Sequence, residues 1–322
     1  MNLADLQWLQ LKKSDYLMDI SIIIPTKDRG VFFDEALQSV VKAIEGLDAE
    51  VIVINDSKTS NPNIPSGFQN IRLIHNPKNG VASARNLGAS LAQAELILFM
   101  DDDFVIPHNC IKRAFDIVKQ DESKIHLFNW VYPPKLQKRL KQFQFGRYLI
   151  AYQFTSIQGW LGDEWRDEEV FELKDGASYF LPIMKSMFLK IGGYNEDFTH
   201  AGAEDYDFVQ RAKGKGVKFF LDKTCTLYHN EGDRIYLENW LKRKERNGET
   251  IKMAVDIGYQ KLAIYYSPFK KLVLRTLSNI RLLISALLKF IPNIPIFDWF
   301  YFGLVNLLLA IYIFKGYEKK ER

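Results

Sequence analysis

The sequence predicts an α/β fold: a mostly parallel sheet flanked by helices, followed by a C-terminal helical appendage that is basic and apolar. Three observations predict it. Short, almost wholly apolar runs alternate with segments of helical period, the pattern of a sheet covered on both faces. Polar and acidic residues cluster where those runs end. The charge balance also changes sign late in the chain: Tyr259–Arg322 holds 10 Lys+Arg against 3 Asp+Glu, a net of +7, while the whole chain is only +4. The preceding residues are therefore −3, and two parts are expected: a near-neutral α/β body over 1–258 and an amphipathic, apolar helical region over 259–322.

Composition narrows the class. With 47% hydrophobic and 25% charged residues in a chain of 322, wholesale disorder is excluded. Two cysteines, Cys110 and Cys225, cannot build a disulfide framework, and a reducing compartment follows. The first 18 residues carry charges and no apolar core, so no signal peptide is expected.

Each element follows from its pattern. Asp19–Pro25 (DISIIIP) reads as a buried strand bounded by charge and proline. Asp34–Ile44 places Ala36, Leu37, Val40, Val41 and Ile44 at helical spacing. Glu50–Ile54 is a second strand and Ile71–His75 a third. Gly80–Ala94 puts Ala84, Leu87, Gly88 and Leu91 on one helical face, and Glu95–Met100 is a fourth strand. Residues 126 to 200 read as less regular, with Gln158–Trp165 as a loop. A helix is expected from Glu204 to Ala212 and a strand over Val217–Leu221.

In a parallel sheet the carboxyl ends of the strands lie along one edge, where ligands bind. Thr26–Arg29 (TKDR) ends the first strand, Asn55-Asp56-Ser57 the second, and Asp101-Asp102-Asp103 the fourth. Adjacent carboxylates repel unless a counter-charge is supplied. A solvated acidic turn is one reading of the triplet. The other is a hard divalent cation, which takes oxygen ligands and shares them with substrate phosphates.

These segments resemble family 2 glycosyltransferases of the GT-A fold. SIIIPTKDR resembles the family's first strand and nucleotide loop, and VIVINDS its second strand with an acid at the base. NGVASARNLGASLAQAELILFMDDD resembles the run from the Asn-Gly loop to the DxD motif. IGGYNEDF and GAEDYDFVQRAKGKG resemble the acceptor-side Gly-Gly turn and the Glu-Asp motif that opens a helix. Five motifs in order, over residues 19 to 230, make the resemblance specific.

The resemblance implies a nucleotide-sugar donor, a glycan or lipid-linked acceptor, Mn²⁺ or Mg²⁺ as cofactor, and no nucleic-acid partner. Pro25, Thr26, Asp28, Arg29 and Asp56 are expected around the nucleotide. A carboxylate at Asp56 suits the ring N–H of uracil, which favours a uridine or thymidine donor. Asp101 and Asp103 match the DxD pair, with Asp102 beside them. Arg85 is expected either at phosphate oxygens or in an ion pair with the second acid. His229 completes the metal site or is a hydrogen-bonded structural histidine. Asp205 matches the catalytic base; Glu204 binds acceptor hydroxyls or orients the helix start, where acids are favoured by the macrodipole. Trp160, Trp165 and Gly176 are assigned to the acceptor side, and Trp240 stacks on sugar or belongs to the core. Asn55, Ser57 and Asp28 depart from the residues common in the family. Together these imply an inverting transfer from a nucleoside-diphosphate sugar to a hydroxyl in surface polysaccharide assembly. Two alternatives stay open: transfer to a polyprenyl phosphate, and a non-catalytic scaffold that binds nucleotide sugars.

In the tail, Lys271, Arg275, Ser278, Ser285 and Lys289 form a polar stripe on an apolar helix, suited to an anionic membrane surface. Ile296–Phe314 is 19 residues long, about 28 Å as a helix and close to the hydrocarbon thickness. Asp298 and Asn306 weigh against a clean span. A tail resting on the cytoplasmic face of the membrane is the preferred reading. One spanning helix, or a helix pair that joins two copies of the chain, are the others.

Overall fold

β1 (Ile20–Thr26) is buried along its whole length and lies at the centre of a five-stranded sheet in a computed structural model. The structure describes residues 18–65, 70–198 and 200–319; all but the last of the first 18 residues, read above as lacking a signal peptide, lie outside them. The sheet order is β3-β2-β1-β4-β8, where β2 is Ala49–Asn55, β3 Ile71–His75, β4 Leu96–Met100 and β8 Phe180–Met184. β1 pairs parallel with β2 and β4, and β2 with β3; β8 runs antiparallel to β4. The four strands expected from the apolar runs are present within a residue or two of their expected bounds.

Two polar residues inside these strands have local explanations. Ser21 donates to Glu50 at 2.7 Å, and Glu50 also meets Arg72 at 3.2 Å and the backbone N–H of Gln93. A buried carboxylate with several donors avoids most of the cost of burial.

Helices α1 (Val31–Ala43), α2 (Val81–Leu91) and α3 (Cys110–Gln120) follow strands in the βα manner. α2 sits so close to β1 that a Cβ at Gly88 would lie 2.3 Å from Ile23 Cγ2. A second sheet has the order β5-β9-β6, with β7 paired to β9. Here β5 is Phe104–Val105, β6 Lys124–Val131, β7 Val170–Leu173 and β9 Lys218–His229. β9 is 12 residues long, more than twice the stretch expected.

The region expected to be irregular is instead ordered. It contains β6, α4 (Pro134–Leu140), α5 (Gln144–Ala151), α6 (Ile157–Leu161), β7, β8 and α7 (Lys185–Ile191). The expected loop at 158–165 is mostly helix, because Ser156 caps α6 through the Gly159 N–H and a 3₁₀ turn follows at Gly162–Glu164. After these come α8 (Glu204–Lys213), α9 (Leu237–Asp256), α10 (Pro268–Leu288) and α11 (Asp298–Tyr317).

The chain divides into two compact units. The first comprises the described residues of 1–131, 164–199 and 205–230; the second, those of 132–163, 200–204 and 231–322. The boundary placed at 258/259 from charge thus falls inside the second unit, between α9 and α10. The second unit is helical. Trp240 packs edge-on to Phe145, Tyr148 and Phe154 at 5.5 to 5.8 Å, so it is a core aromatic and not a sugar platform. α9 and α11 touch backbone to backbone: a Cβ on Gly316 would sit 1.9 Å from the Glu245 carbonyl oxygen. Pro295–Tyr317 is long and apolar enough to cross a membrane, with a mean hydropathy of 1.8.

Candidate active site

In the first unit the carboxyl ends of β1, β2 and β4 gather the polar residues singled out in the sequence. Pro25 lies within β1, one residue before its end at Thr26. Thr26 donates its hydroxyl to Asp102 Oδ2 at 2.7 Å. Arg29 lies between two acids, with Nε 3.2 Å from Asp102 and Nη2 2.7 Å from Asp103. The repulsion expected within the triplet is therefore met partly by guanidinium charge.

Asp56, at the end of β2, is braced. Its Oδ1 accepts from Asn76 Nδ2 at 2.7 Å and from the Gly80 N–H at 3.0 Å, while Oδ2 faces the exposed Lys27 ammonium at 3.0 Å. Asp28 holds a left-handed backbone, with φ of 54°. Its Oδ1 accepts from the hydroxyls of Ser57 and Ser60 at 2.6 Å each, and these bonds hold its carboxyl below the usual range. Beside these residues an open cleft of about 450 Å³ is lined by Ser57–Asn61, His75 and Asn76.

Arg85 projects from α2 and is almost fully buried. One of its nitrogens meets Asp101 at 2.8 Å and another meets Asp205 at 3.0 Å. Its guanidinium also lies 5.1 Å from the Tyr194 ring. Of its two expected positions, the structure thus shows the ion pair with acids. Removal from water pushes the Asp101 carboxyl up, against the pull of Arg85, and the nearby Asp103 and Asp205 carboxylates add to the rise.

Asp205 lies in the first turn of α8 and also accepts from the Ser178 hydroxyl. Both of its hydrogen bonds among the described residues fall on Oδ1, so Oδ2 remains for another partner. Its neighbour Glu204 is buried and accepts from the Gly202 N–H in the second unit.

His229 ends β9 with Nε2 3.4 Å from Asp103 Oδ1. Its ring stacks on Phe104 at 4.3 Å and meets Trp130 edge-on at 4.9 Å, which fixes its orientation. Asp103 and His229 each offer a ligand atom, within 4.8 Å of one another. The backbone sets the loop: Asp101 N–H donates to Tyr179 and Asn230 N–H to Asp103.

The Gly-Gly turn is held to α2. Tyr194 N–H donates to Asn86 Oδ1 at 2.8 Å, and Gly193 has φ of 66°, where a Cβ would lie only 2.8 Å from that same oxygen.

The acceptor-side assignments fare differently. Trp165 packs edge-on to Phe171 at 6.0 Å with Lys223 over its ring. Gly176 lies under the Phe219 ring, where a Cβ would meet Cδ1 at 2.3 Å, so its smallness serves packing. Trp160 belongs to the second unit and is 61% exposed. Sequence reasoning missed Ser178, whose segment carries no motif. It also missed Glu231, a buried acid bonded to Tyr132 at 2.6 Å and to Arg243 in the second unit.

Comparison with known proteins agrees with the motif reading. The family model described as glycosyl transferase family 2 matches residues 21–231. A protein of Haemophilus influenzae described as an uncharacterized glycosyltransferase is 27% identical over 244 residues, 74% of this chain and 75% of its own length. The succinoglycan biosynthesis protein ExoU of Rhizobium meliloti is 25% identical over 215 residues, 64% of this chain and 60% of that one. Among solved structures, GalNAc-T7 with UDP, GalNAc and Mn²⁺ superposes with a TM-score of 0.49 at 14% identity, over 66% of this chain and 43% of the other. That likeness carries no weight for donor or metal.

Proposed function

Because the chain belongs to glycosyl transferase family 2 and has its GT-A fold, we propose that it is an inverting, metal-dependent transferase that moves a sugar from a UDP-sugar to a hydroxyl of a lipid-linked glycan. The product belongs to surface polysaccharide assembly, which the relative named for succinoglycan biosynthesis supports, and the placement at the cytoplasmic face of the membrane rests on the C-terminal helices.

One observation carries the reading. Arg85 holds Asp101, at the end of β4, and Asp205, at the start of α8, on one guanidinium group. Residues more than a hundred positions apart are thereby fixed around one small volume, which transfer between a bound donor and an acceptor requires.

In this reading Asp56 Oδ2 accepts the uracil N–H when Lys27 swings into solvent. The cleft beside it has room for a nucleoside. Asp101 and Asp102 orient the ribose and diphosphate, with Thr26 and Arg29 fixing Asp102. Asp103 and His229 suit a divalent ion, since a carboxylate oxygen and an imidazole nitrogen are donors that Mn²⁺ accepts. Such an ion would neutralise charge on the departing diphosphate. Asp205 Oδ2 takes the proton from the acceptor hydroxyl as it attacks the anomeric carbon. Attack on the face opposite the leaving nucleotide inverts that carbon. Arg85 and Ser178 hold Asp205 through Oδ1 and leave Oδ2 to the acceptor.

A UDP-release screen across nucleotide sugars tests this, because donor hydrolysis is observable without the natural acceptor. The expected result is metal-dependent release from one UDP-sugar that Asp205→Asn abolishes. Undiminished transfer by Asp205→Asn would point instead to a phosphate acceptor, which needs no base. Nucleotide binding with no turnover on any sugar would point to a scaffold.

A further inference from the structure

Outside the transfer site, the last helices of the second unit carry many exposed apolar side chains. α10 packs inward through Leu274, Ile284 and Leu288. Three basic residues of its polar stripe are ion-paired within the unit. Lys271 and Arg275 reach Glu318 at 3.0 and 3.7 Å, and Lys289 reaches Glu238 at 3.9 Å. At about 100° per residue, Leu272 and Leu283 lie on the side opposite the packed one, with Phe269 and Leu287 on its flank. These are exposed, Phe269 by 77% and Leu283 by 66%. Beyond the end of α10, Phe290 and Trp299 are also open, with 83% and 76% of their area exposed.

α11 is committed elsewhere. Asp298 takes two bonds from Arg147 at 2.6 and 2.7 Å, and Asn306 bonds the hydroxyls of Tyr148 and Tyr152. Its inner face of Tyr301, Val305, Leu308, Ile311 and Phe314 is buried in the unit. A helix so tied serves as a strut, so its two polar residues are explained without a membrane span.

We propose that the outward apolar face of α10, continued to Trp299, is a monotopic docking surface that beds into the acyl-chain boundary of an anionic bilayer. Several large apolar side chains left open on one helix mark an interaction site. Charge chooses the occupant. Residues 257–297 contain six Lys+Arg and no Asp or Glu. Glu318 and Glu238 meet three of these cations, and a symmetric contact between two copies would still set the other three, Lys261, Lys270 and Arg281, against their own counterparts. An anionic bilayer takes up the apolar side chains and supplies the counter-charge. The inference deepens the membrane placement proposed above but does not depend on the transfer chemistry.

Co-sedimentation of the full chain with phosphatidylcholine vesicles, with and without phosphatidylglycerol, tests it. The expected result is firm binding to the phosphatidylglycerol vesicles that salt weakens but does not abolish. Replacing Leu283 and Leu287 together by Glu should weaken binding at least tenfold, while metal-dependent UDP-sugar hydrolysis in solution is unchanged. Leu272→Glu, one turn or more away, should act in the same direction, and unchanged circular dichroism confirms the fold of each variant. Failure of the wild-type chain to sediment with either vesicle would overturn the proposal. So would full binding by the folded double variant, or a dimer that Leu283→Glu splits and that ignores vesicles. Vesicle binding without hydrolysis of any nucleotide sugar would overturn the transfer reading alone.

Discussion

Two arginine-held carboxylate sites, one in each unit, differ in their charge balance. In the second, Asp298 and Arg147 meet one to one through two bonds, and the charges cancel. In the first, Asp101, Asp102, Asp103 and Asp205 share two guanidinium groups, those of Arg29 and Arg85. Among the described contacts, four carboxylates face two guanidinium groups, an excess of acid. A matched pair is a strut, whereas a surplus held in fixed positions invites a cation and a proton. The rise in the Asp101 carboxyl under the influence of Asp103 and Asp205 has the same origin.

The largest test of this contrast removes one acid at a time from the surplus. Asp103→Ala and Asp205→Ala should each lower transfer by about a thousandfold or more, within the range for loss of a positioned acid–base or metal-binding group. Steady-state UDP release measures it, and a loss under tenfold in either would break the contrast. Arg85→Met should come next. It releases both Asp101 and Asp205, so transfer should fall by about a hundredfold as positioning is lost. Stability should fall by about 2 kcal/mol, less than for a fully buried pair because both acids are about a third exposed.

Arg147→Met makes the corresponding cut in the second unit. It should cost about 2 kcal/mol in urea unfolding, since it leaves Asp298 without its partner, and leave UDP release unchanged. A loss of transfer equal to that of Arg85→Met would erase the distinction.

Lys244 sharpens the comparison most finely, as a cation in the second unit set over the rings of Trp240 and Phe154. Burial, helped by Arg243, lowers its ammonium to about 8. Its folded pKa is depressed below the unfolded value near 10.4, so the folded state binds fewer protons between those values. The penalty is full below pH 8 and fades as pH rises toward 10. Lys244→Met should therefore raise stability at pH 7 by about 1–2 kcal/mol. Denaturation at pH 7 and pH 10 should show a smaller gain at the higher pH.

Much of this was legible in the sequence for a physical reason. DISIIIP, EVIVI and ELILFM are buried on both sides, so their apolar runs are unbroken and their polar ends mark the sheet edge. The GT-A fold and the family followed from motifs at those ends. What stayed hidden depended on contacts distant in sequence. β8 (FLPIM) contains a proline, tolerated because the strand lies at one end of the sheet order. α9 is so charged that its thin apolar face, with Trp240 and Leu241, gave a weak signal. Arg29 stood among nucleotide contacts because its partners lie 73 and 74 residues away. The basic stripe of α10 suggested a membrane-facing side, but Glu318 and Glu238 pair with three of its cations.

The central claim is a division of labour: Asp103 serves the metal and nucleotide, and Asp205 serves the acceptor's proton. Calorimetric titration of UDP into the wild-type chain, Asp103→Ala and Asp205→Ala, each with and without Mn²⁺, tests it most directly. The account predicts that Asp103→Ala loses the metal-dependent part of UDP binding while Asp205→Ala keeps it. Equal loss of metal-dependent binding in both variants would contradict it.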